Sequence, residues 1–341
     1  MSKTLLLNHH GLGEVLMSLP ACRWLVSEIG SQNVWITIVG PEKQICTDQR
    51  CGDNFLPFNF SRKNLISTAK LLWNLRKLHF DNVVAFYGFE PKMVGRLSRL
   101  IGAHEWFCQA VDEKELFNRE TVHKRIRYLR NIETFLGKFF PAGQENDFLL
   151  DNIHQFQYDF SDNSKDYIVL VPGSGEMERF KRWPVEHFVS FAKLFIQKFP
   201  KMKIVVTGSV AESELTETIQ KKVGSHKVIN LGGKLDLQQL TSIFHNSKLV
   251  IGGDCGGLHL AKAAGARVVA IMGPTNSALT GPIEPDLIID KKLPGTPWYC
   301  RKTLKEKAYL VEEPSMQIPA AEVMDAVLGL DFFEDIQLIQ I

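Results

Sequence analysis

The chain has 341 residues, 45% hydrophobic and 23% charged, with a formal net charge of +2. Such a composition suits a soluble globular protein with room for two domains, each with its own core. It excludes a strongly basic chain that holds nucleic acid by charge alone. Six cysteines (Cys22, Cys46, Cys51, Cys108, Cys255, Cys300) form no Cys-x-x-Cys pair. That usage fits reduced thiols in a cytoplasmic protein better than a disulfide framework or a zinc site. No apolar run reaches membrane-spanning length, and the N-terminus enters a strand with no signal-peptide pattern.

Thr4–Leu7 is an apolar run that predicts a buried strand, followed by a loop to Glu14 and a helix over Val15–Glu28. Gly11-Leu-Gly13 has the outline of a dinucleotide fingerprint, but Leu16 stands where its third glycine belongs. Glu14 falls at or near the first turn of that helix. A carboxylate there is either a favourable charge at the helix dipole or, if the loop faces a cleft, a general base. A strand follows at Val34–Val39, a helix at Asn64–Leu78, a strand at Asp81–Phe86 and a helix at Lys92–Leu100. Residues 119–130 combine an apolar seam (Val122, Ile126, Leu129) with a strongly basic face. With Lys92, Arg96 and Arg99 in the same half, an anionic partner for this domain is expected. Interleaved aromatics are sparse, which argues against RNA or DNA.

Asp151–Lys165 is polar and without a period, so it reads as a linker between domains at 1–157 and 158–341. The pattern then restarts with a strand at Tyr167–Val171 and a glycine-containing turn, Pro172-Gly-Ser-Gly175. Pro184 suits the first position of a helix whose core face is Phe188, Phe191, Ala192 and Phe195. Strands at Lys203–Ser209, Lys227–Leu231, Lys248–Ile251 and Val268–Met272 alternate with helices at Ala211–Val223, Leu237–Asn246 and Leu258–Ala264. A last amphipathic helix, Ala320–Leu328, and a tail with Ile336, Leu338, Ile339 and Ile341 could pack on either domain or on a neighbour. The fold class is therefore α/β: two Rossmann-like domains with parallel sheets, facing one another across a cleft.

The chemistry gathers in loops that follow strands. Gly256 and Gly257 open a helix, and a helix that starts after glycines offers unpaired N–H groups and a positive dipole end to a phosphate. Asp254 and His259 flank that start. Gly173–Gly175, Lys181, Gly208–Glu212 and Gly273–Thr275 follow neighbouring strands, and a nucleotide diphosphate fits the set. Helix N-termini and Lys181 would hold its phosphates, and a carboxylate such as Glu212 would accept from ribose hydroxyls. No Asp-x-Asp occurs in the chain, so a metal-bridged diphosphate is not expected and the protein itself must supply the positive charge.

Four blocks then carry a family resemblance in order. They are Gly11-Leu-Gly-Glu-Val-Leu-Met-Ser-Leu-Pro-Ala21, then His123 with Tyr128-Leu129 and Leu136-Gly137, then Pro172-Gly173 with Lys181–Pro184. The last is Asp254-Cys-Gly-Gly-Leu-His259 with Ala263-Ala264 and Gly273-Pro-Thr275. The chain resembles the ADP-heptose:lipopolysaccharide heptosyltransferases, glycosyltransferase family 9, over nearly its whole length. The resemblance implies the GT-B fold and an inverting, metal-independent transfer of a heptose or related sugar from an ADP-sugar to a lipopolysaccharide core or related glycan. No cofactor beyond the donor is implied. Glu14 would be the catalytic base, where the family usually has Asp. Ser174, Gly175 and Lys181 would bind the diphosphate, Glu212 the ribose or adenine, and Leu235 the base. Asp254 would hold sugar hydroxyls, with Cys255, Gly256, Gly257, His259 and Thr275 completing the donor pocket. Lys92, Arg96, Arg99, His123 and Arg127 would meet an anionic glycolipid acceptor, and the enzyme would work in the cytoplasm, peripherally at the inner membrane. Two departures stand out: Glu14 is one methylene longer than Asp, and Cys255 replaces a hydroxyl residue. A sugar-nucleotide epimerase of the same fold, or a binding protein that kept the fold without catalysis, remain alternatives.

Overall fold

The computed structural model describes residues 2–8, 11–38, 40, 49–58, 65–86, 88–109, 122–158, 166–224, 226–291 and 314–331. The chain divides into two units, Met1–Asn152 and Ile153–Ile341. This boundary precedes the one expected after residue 157, because Ile153–Gln155 forms a 3-10 turn that packs on the second unit's helix Leu237–His245. Cys46, Cys300, residues 119–121 and the tail residues Ile336 to Ile341 lie outside the described residues.

The first unit is a parallel sheet of β1 (Thr4–Leu7), β2 (Val34–Ile38), β3 (Phe55–Pro57), β4 (Asn82–Ala85) and β5 (Glu105–Cys108), in the order β3-β2-β1-β4-β5. Its helices are α1 (Leu12–Ile29), α2 (Leu65–Lys77), α3 (Pro91–Ile101) and α4 (Lys124–Leu136). Side chains alternate across a strand. Leu5 and Leu7 of β1, with Val83 and Ala85 of β4, meet Leu75 of α2 and Val94, Leu97 and Ile101 of α3 in one core. α1 and α4 pack on each other and take no part in that core. Right-handed crossovers explain the split, since the strand order reverses between β1 and β4 and so sends α1 and α3 to opposite faces.

α1 starts at Leu12, earlier than the sequence suggests, because Gly11 adopts φ 116° and turns the chain into the helix. Side chains rarely tolerate that backbone, so glycine is needed there. Glu14 thereby falls inside the first turn.

The second unit is a parallel sheet of β6 (Tyr167–Val171), β7 (Lys203–Val206), β8 (Val228–Asn230), β9 (Leu249–Gly253), β10 (Val268–Met272) and β11 (Leu287–Asp290), ordered β11-β10-β9-β6-β7-β8. The helices are α5 (Val185–Lys198), α6 (Ser213–Val223), α7 (Leu237–His245), α8 (Gly256–Ala263), α9 (Ser277–Thr280) and α10 (Ala320–Leu328). Phe188, Phe191, Ala192 and Phe195 form the buried face of α5, as their spacing predicts. α10 packs on α5 through a core that includes Val323, Met324 and Val327, and belongs to the second unit. Trp183 ties the approach to α10 in place, its Nε1 donating to the Ile318 carbonyl at 2.8 Å.

Candidate active site

Ligands of open α/β sheets bind beyond the carboxyl ends of the strands, where the strand order reverses. In the second unit that point lies between β6 and β9, and the two turns flagged by their glycines, 172–175 and 254–257, leave those two strands. In the first unit it lies between β1 and β4, and Glu14 stands on the helix that follows β1.

The second unit's turns are held together by charge. Lys181 Nζ lies 3.2 Å from Asp254 Oδ2 and 3.2 Å from Glu178 Oε1. Lys181, Asp254, His259 and Thr275 are all buried. Burial alone would raise the Asp254 carboxyl. The Lys181 ammonium, the Thr275 hydroxyl and the charge of His259 outweigh it and hold the group below the usual carboxylate range. Lys181 and Thr275, distant in sequence from Asp254 and His259, therefore meet them.

α8 opens with Gly256 and Gly257 and has no side-chain hydrogen-bond cap. Cys255 sits at the N-cap, where the Gly257 and Leu258 amides approach its sulfur and burial pushes the thiol up to about 12. A neutral thiol is a weak acceptor and no nucleophile, so the amides at the start of α8 keep their capacity for an anion. Gly253 is needed for a different reason. A methyl group there would stand 2.7 Å from the Lys181 carbonyl oxygen, against backbone that cannot yield freely. Gly253→Ala is expected to lose about 1–3 kcal/mol of stability and to weaken nucleotide binding by displacing Lys181, read by thermal unfolding and by calorimetry with ADP.

Ser174 and Glu212 are both engaged within the protein. The Ser174 hydroxyl donates to the Glu178 carbonyl at 2.8 Å, and Arg182 Nη2 donates to the Ser174 carbonyl at 2.6 Å. Ser174 thus stiffens the turn from within, leaving Gly175 exposed beside it. Glu212 Oε2 accepts from the Ser209 amide and hydroxyl, each at 2.8 Å, and Oε1 lies 3.5 Å from Arg182 Nη2. This carboxylate caps its own turn and steadies Arg182. Leu235 is half-buried in the turn between β8 and α7. Arg182 escaped the sequence reading, although it adjoins Lys181.

In the first unit, Lys124 Nζ donates to Glu14 Oε1 at 2.5 Å and the Tyr128 hydroxyl donates to Oε2. The Glu14 side chain keeps 25% of its exposure, whereas Tyr128 is fully buried against Phe86, with ring centroids 4.9 Å apart. Both carboxylate oxygens are therefore oriented, and the group still reaches solvent. Lys124 and Tyr128, one turn apart on α4, went unassigned in the sequence; their spacing on one helix face is the signal that could have found them.

The basic residues separate. His123 caps α4, its Nδ1 accepting from the Arg125 amide at 3.2 Å. Arg127, expected on an exposed basic face, is only 7% exposed, and its Nε donates to the Val122 carbonyl at 3.1 Å. Its charge secures the entry to α4. Lys92 stands in the first turn of α3, on the same sheet edge as Glu14, whereas Arg96 and Arg99 lie further along the exposed side. At 1.5 Å per residue, Arg99 is about 10 Å down the helix from Lys92, so the three do not gather at that edge.

Two units, each with a parallel sheet of this order, are those of the GT-B fold. The sequence signature of glycosyltransferase family 9 (heptosyltransferase) matches residues 124–307, more than half the chain. The chain belongs to that family. A curated relative, lipopolysaccharide heptosyltransferase 1 of Campylobacter coli, is 25% identical over 235 residues, covering 63% of this chain and 67% of the relative. Lipooligosaccharide heptosyltransferase 2 of Haemophilus ducreyi is 29% identical over 147 residues, 42% of this chain, which spans only 41% of that relative's length. Among solved structures, the ADP-heptose lipopolysaccharide heptosyltransferase II of Escherichia coli shares the fold with a TM-score of 0.70 at 17% identity, covering 98% of this chain and 99% of its own.

Proposed function

We propose that this glycosyltransferase moves heptose from ADP-heptose to the core of a lipopolysaccharide, with inversion and without a metal ion. The observation that carries the reading is the buried Lys181–Asp254 pair beside the uncapped start of α8. A pyrophosphate there meets the Lys181 ammonium and the amides of Gly256 and Gly257, which answer its charge without a cation. Lys181 gives up Glu178, its more exposed partner, for a donor phosphate and keeps Asp254. Asp254 orients sugar hydroxyls, His259 and Thr275 support Asp254, and Gly175 and Leu235 border the nucleotide.

In the reaction, Glu14 takes the proton of an acceptor hydroxyl. That oxygen forms a bond to the anomeric carbon as the carbon–oxygen bond to the pyrophosphate breaks, and ADP leaves with the electron pair. Lys124 and Tyr128 hold the carboxylate in one orientation until the acceptor arrives. His123, Lys124 and Lys92 offer polar and cationic groups to phosphates or acidic sugars of the acceptor. Because such an acceptor is lipid-borne, the enzyme works in the cytoplasm against the inner membrane.

The test is to supply ADP-, UDP- and GDP-sugars with and without heptose-free core oligosaccharide. ADP release that needs both ADP-heptose and the acceptor is the expected result. Conversion of a donor without acceptor would replace this reading with the epimerase alternative. Donor binding with no turnover on any acceptor would replace it with the non-catalytic one.

A further inference from the structure

Among the described residues of the first unit, most of the large apolar side chains left exposed lie on one layer. α2 and α3 pack side by side over the same sheet face, joined where Arg76 Nη1 donates to the Leu100 carbonyl at 3.4 Å. Their inner stripes, with Leu75 on α2 and Val94, Leu97 and Ile101 on α3, are spent on the core. The outer stripe of α2 runs Ile66, Lys70, Trp73, Lys77, residues four, seven and eleven apart, and that of α3 runs Met93, Arg96, Leu100. These side chains do not hide: Ile66 is 85% exposed, Trp73 61% and Leu100 54%. Leu65 adds another apolar side chain at the start of α2.

The charge on this layer is one-sided. α2 and α3 carry Lys70, Arg76, Lys77, Lys92, Arg96 and Arg99 and not one Asp or Glu, in a chain whose total is only +2. Lys77 Nζ lies 5.2 Å from the centroid of the Trp73 ring, so a cation and an indole share the same spot. A second copy of such a face would repel the first, and an ordinary solvated helix has no use for Ile66 and Trp73 in water. An anionic bilayer answers both features. Lipid phosphates attract the cations, the long Lys and Arg stems reach past the apolar groups, and Trp prefers the boundary between headgroups and acyl chains. Among the described residues no helix is long and apolar enough to cross a membrane, so the contact is one of lying on the surface.

We infer that the outer face of α2 and α3 docks the enzyme on an anionic lipid bilayer, with Ile66 and Trp73 entering the interface and the surrounding lysines and arginines meeting lipid phosphates. This deepens the membrane contact proposed above and rests on it. It also gives Arg96 and Arg99 a partner that the acceptor reading does not supply.

The experiment is vesicle flotation with the full chain and no donor. Phosphatidylglycerol–phosphatidylethanolamine vesicles should carry at least about tenfold more protein than phosphatidylcholine vesicles, with the difference shrinking in high salt. Ile66→Glu combined with Trp73→Ser, and separately Lys70→Glu combined with Lys77→Glu, should each cut anionic binding by about tenfold. Melting temperature, ADP affinity and ADP release on a soluble acceptor should stay at wild-type values in both variants. Wild-type protein that ignores anionic vesicles, or variants that bind as the wild type does, would overturn the inference. So would self-association of the wild type that Ile66→Glu/Trp73→Ser abolishes with no vesicle binding, since the occupant would then be a second copy. Loss of vesicle binding with acceptor-dependent ADP release intact sinks only the docking face. Vesicle binding without any such release sinks the proposed reaction instead.

Discussion

Glu14→Gln should bind ADP-heptose as the wild type does and turn it over about 10²–10⁴-fold more slowly, the usual cost of removing a positioned general base. The substitution keeps the size of the side chain and one acceptor oxygen for Tyr128, and removes the charge, the basicity and the bond accepted from Lys124. Its stability should scarcely change, because the Glu14–Lys124 ion pair is partly solvent-exposed and such pairs contribute little, about 0–1 kcal/mol. Calorimetry with ADP separates binding from chemistry, and acceptor-dependent ADP release gives the rate. Tyr128→Phe serves as the control for orientation. It leaves the base present with its bond from Lys124, so its loss in kcat should be the smaller. A Glu14→Gln enzyme as fast as the wild type would take this carboxylate out of the reaction.

The strands that the sequence made legible are mostly interior ones. Leu5–Leu7 of β1, Ile168–Leu170 of β6 and Leu249–Ile251 of β9 are continuous apolar runs because both faces of a parallel sheet are covered. β3, β5 and β11 were not anticipated, and each is the last strand of its sheet. β3 ends in Pro57, β5 reads Glu-Trp-Phe-Cys with its first two residues exposed, and β11 is only half-buried. Edge strands pair on one side alone, so their residues need not be uniformly apolar and the pattern that marks a strand fades. The site divides along similar lines. Glycines at 256 and 257 stand out in the sequence where a helix starts, and Lys181 stands in a run rich in charge. The contacts that decide what each side chain does join Glu14 to Lys124 and Tyr128, or Arg182 to Ser174 and Glu212. Those depend on tertiary folding: the spacing of Lys124 and Tyr128 puts them on one helix face, but nothing along the chain says that this face meets Glu14.

The buried pair in the second unit yields the other large effect. Lys181→Met leaves Asp254 buried with its closest cation gone, and an uncompensated buried charge costs about 3–5 kcal/mol. For a unit of this size that is a fall in melting temperature of about 6–20 °C, with ADP affinity down about thirtyfold or more as the phosphate ligand is lost. The pH dependence should change sign as well. In the wild type the Asp254 carboxyl is held below 3.8, so its contribution is complete above that pH and fades only as the solution is acidified through the lowered value. Burial is already the largest single influence on Asp254, and without Lys181 the main effect opposing it is gone, so the carboxyl rises. Protonation then relieves the folded state, and the variant should gain stability relative to the wild type as pH falls from about 7 towards about 5. Combining Lys181→Met with Asp254→Asn removes both charges and should restore most of the melting temperature, because the cost lies in the stranded carboxylate. Donor binding should stay weak in the double variant, since no ammonium remains for the pyrophosphate. Thermal unfolding across pH, run beside ADP calorimetry, distinguishes the two roles of Lys181. A single variant as stable as the wild type at pH 7 would mean that the two groups do not rely on each other.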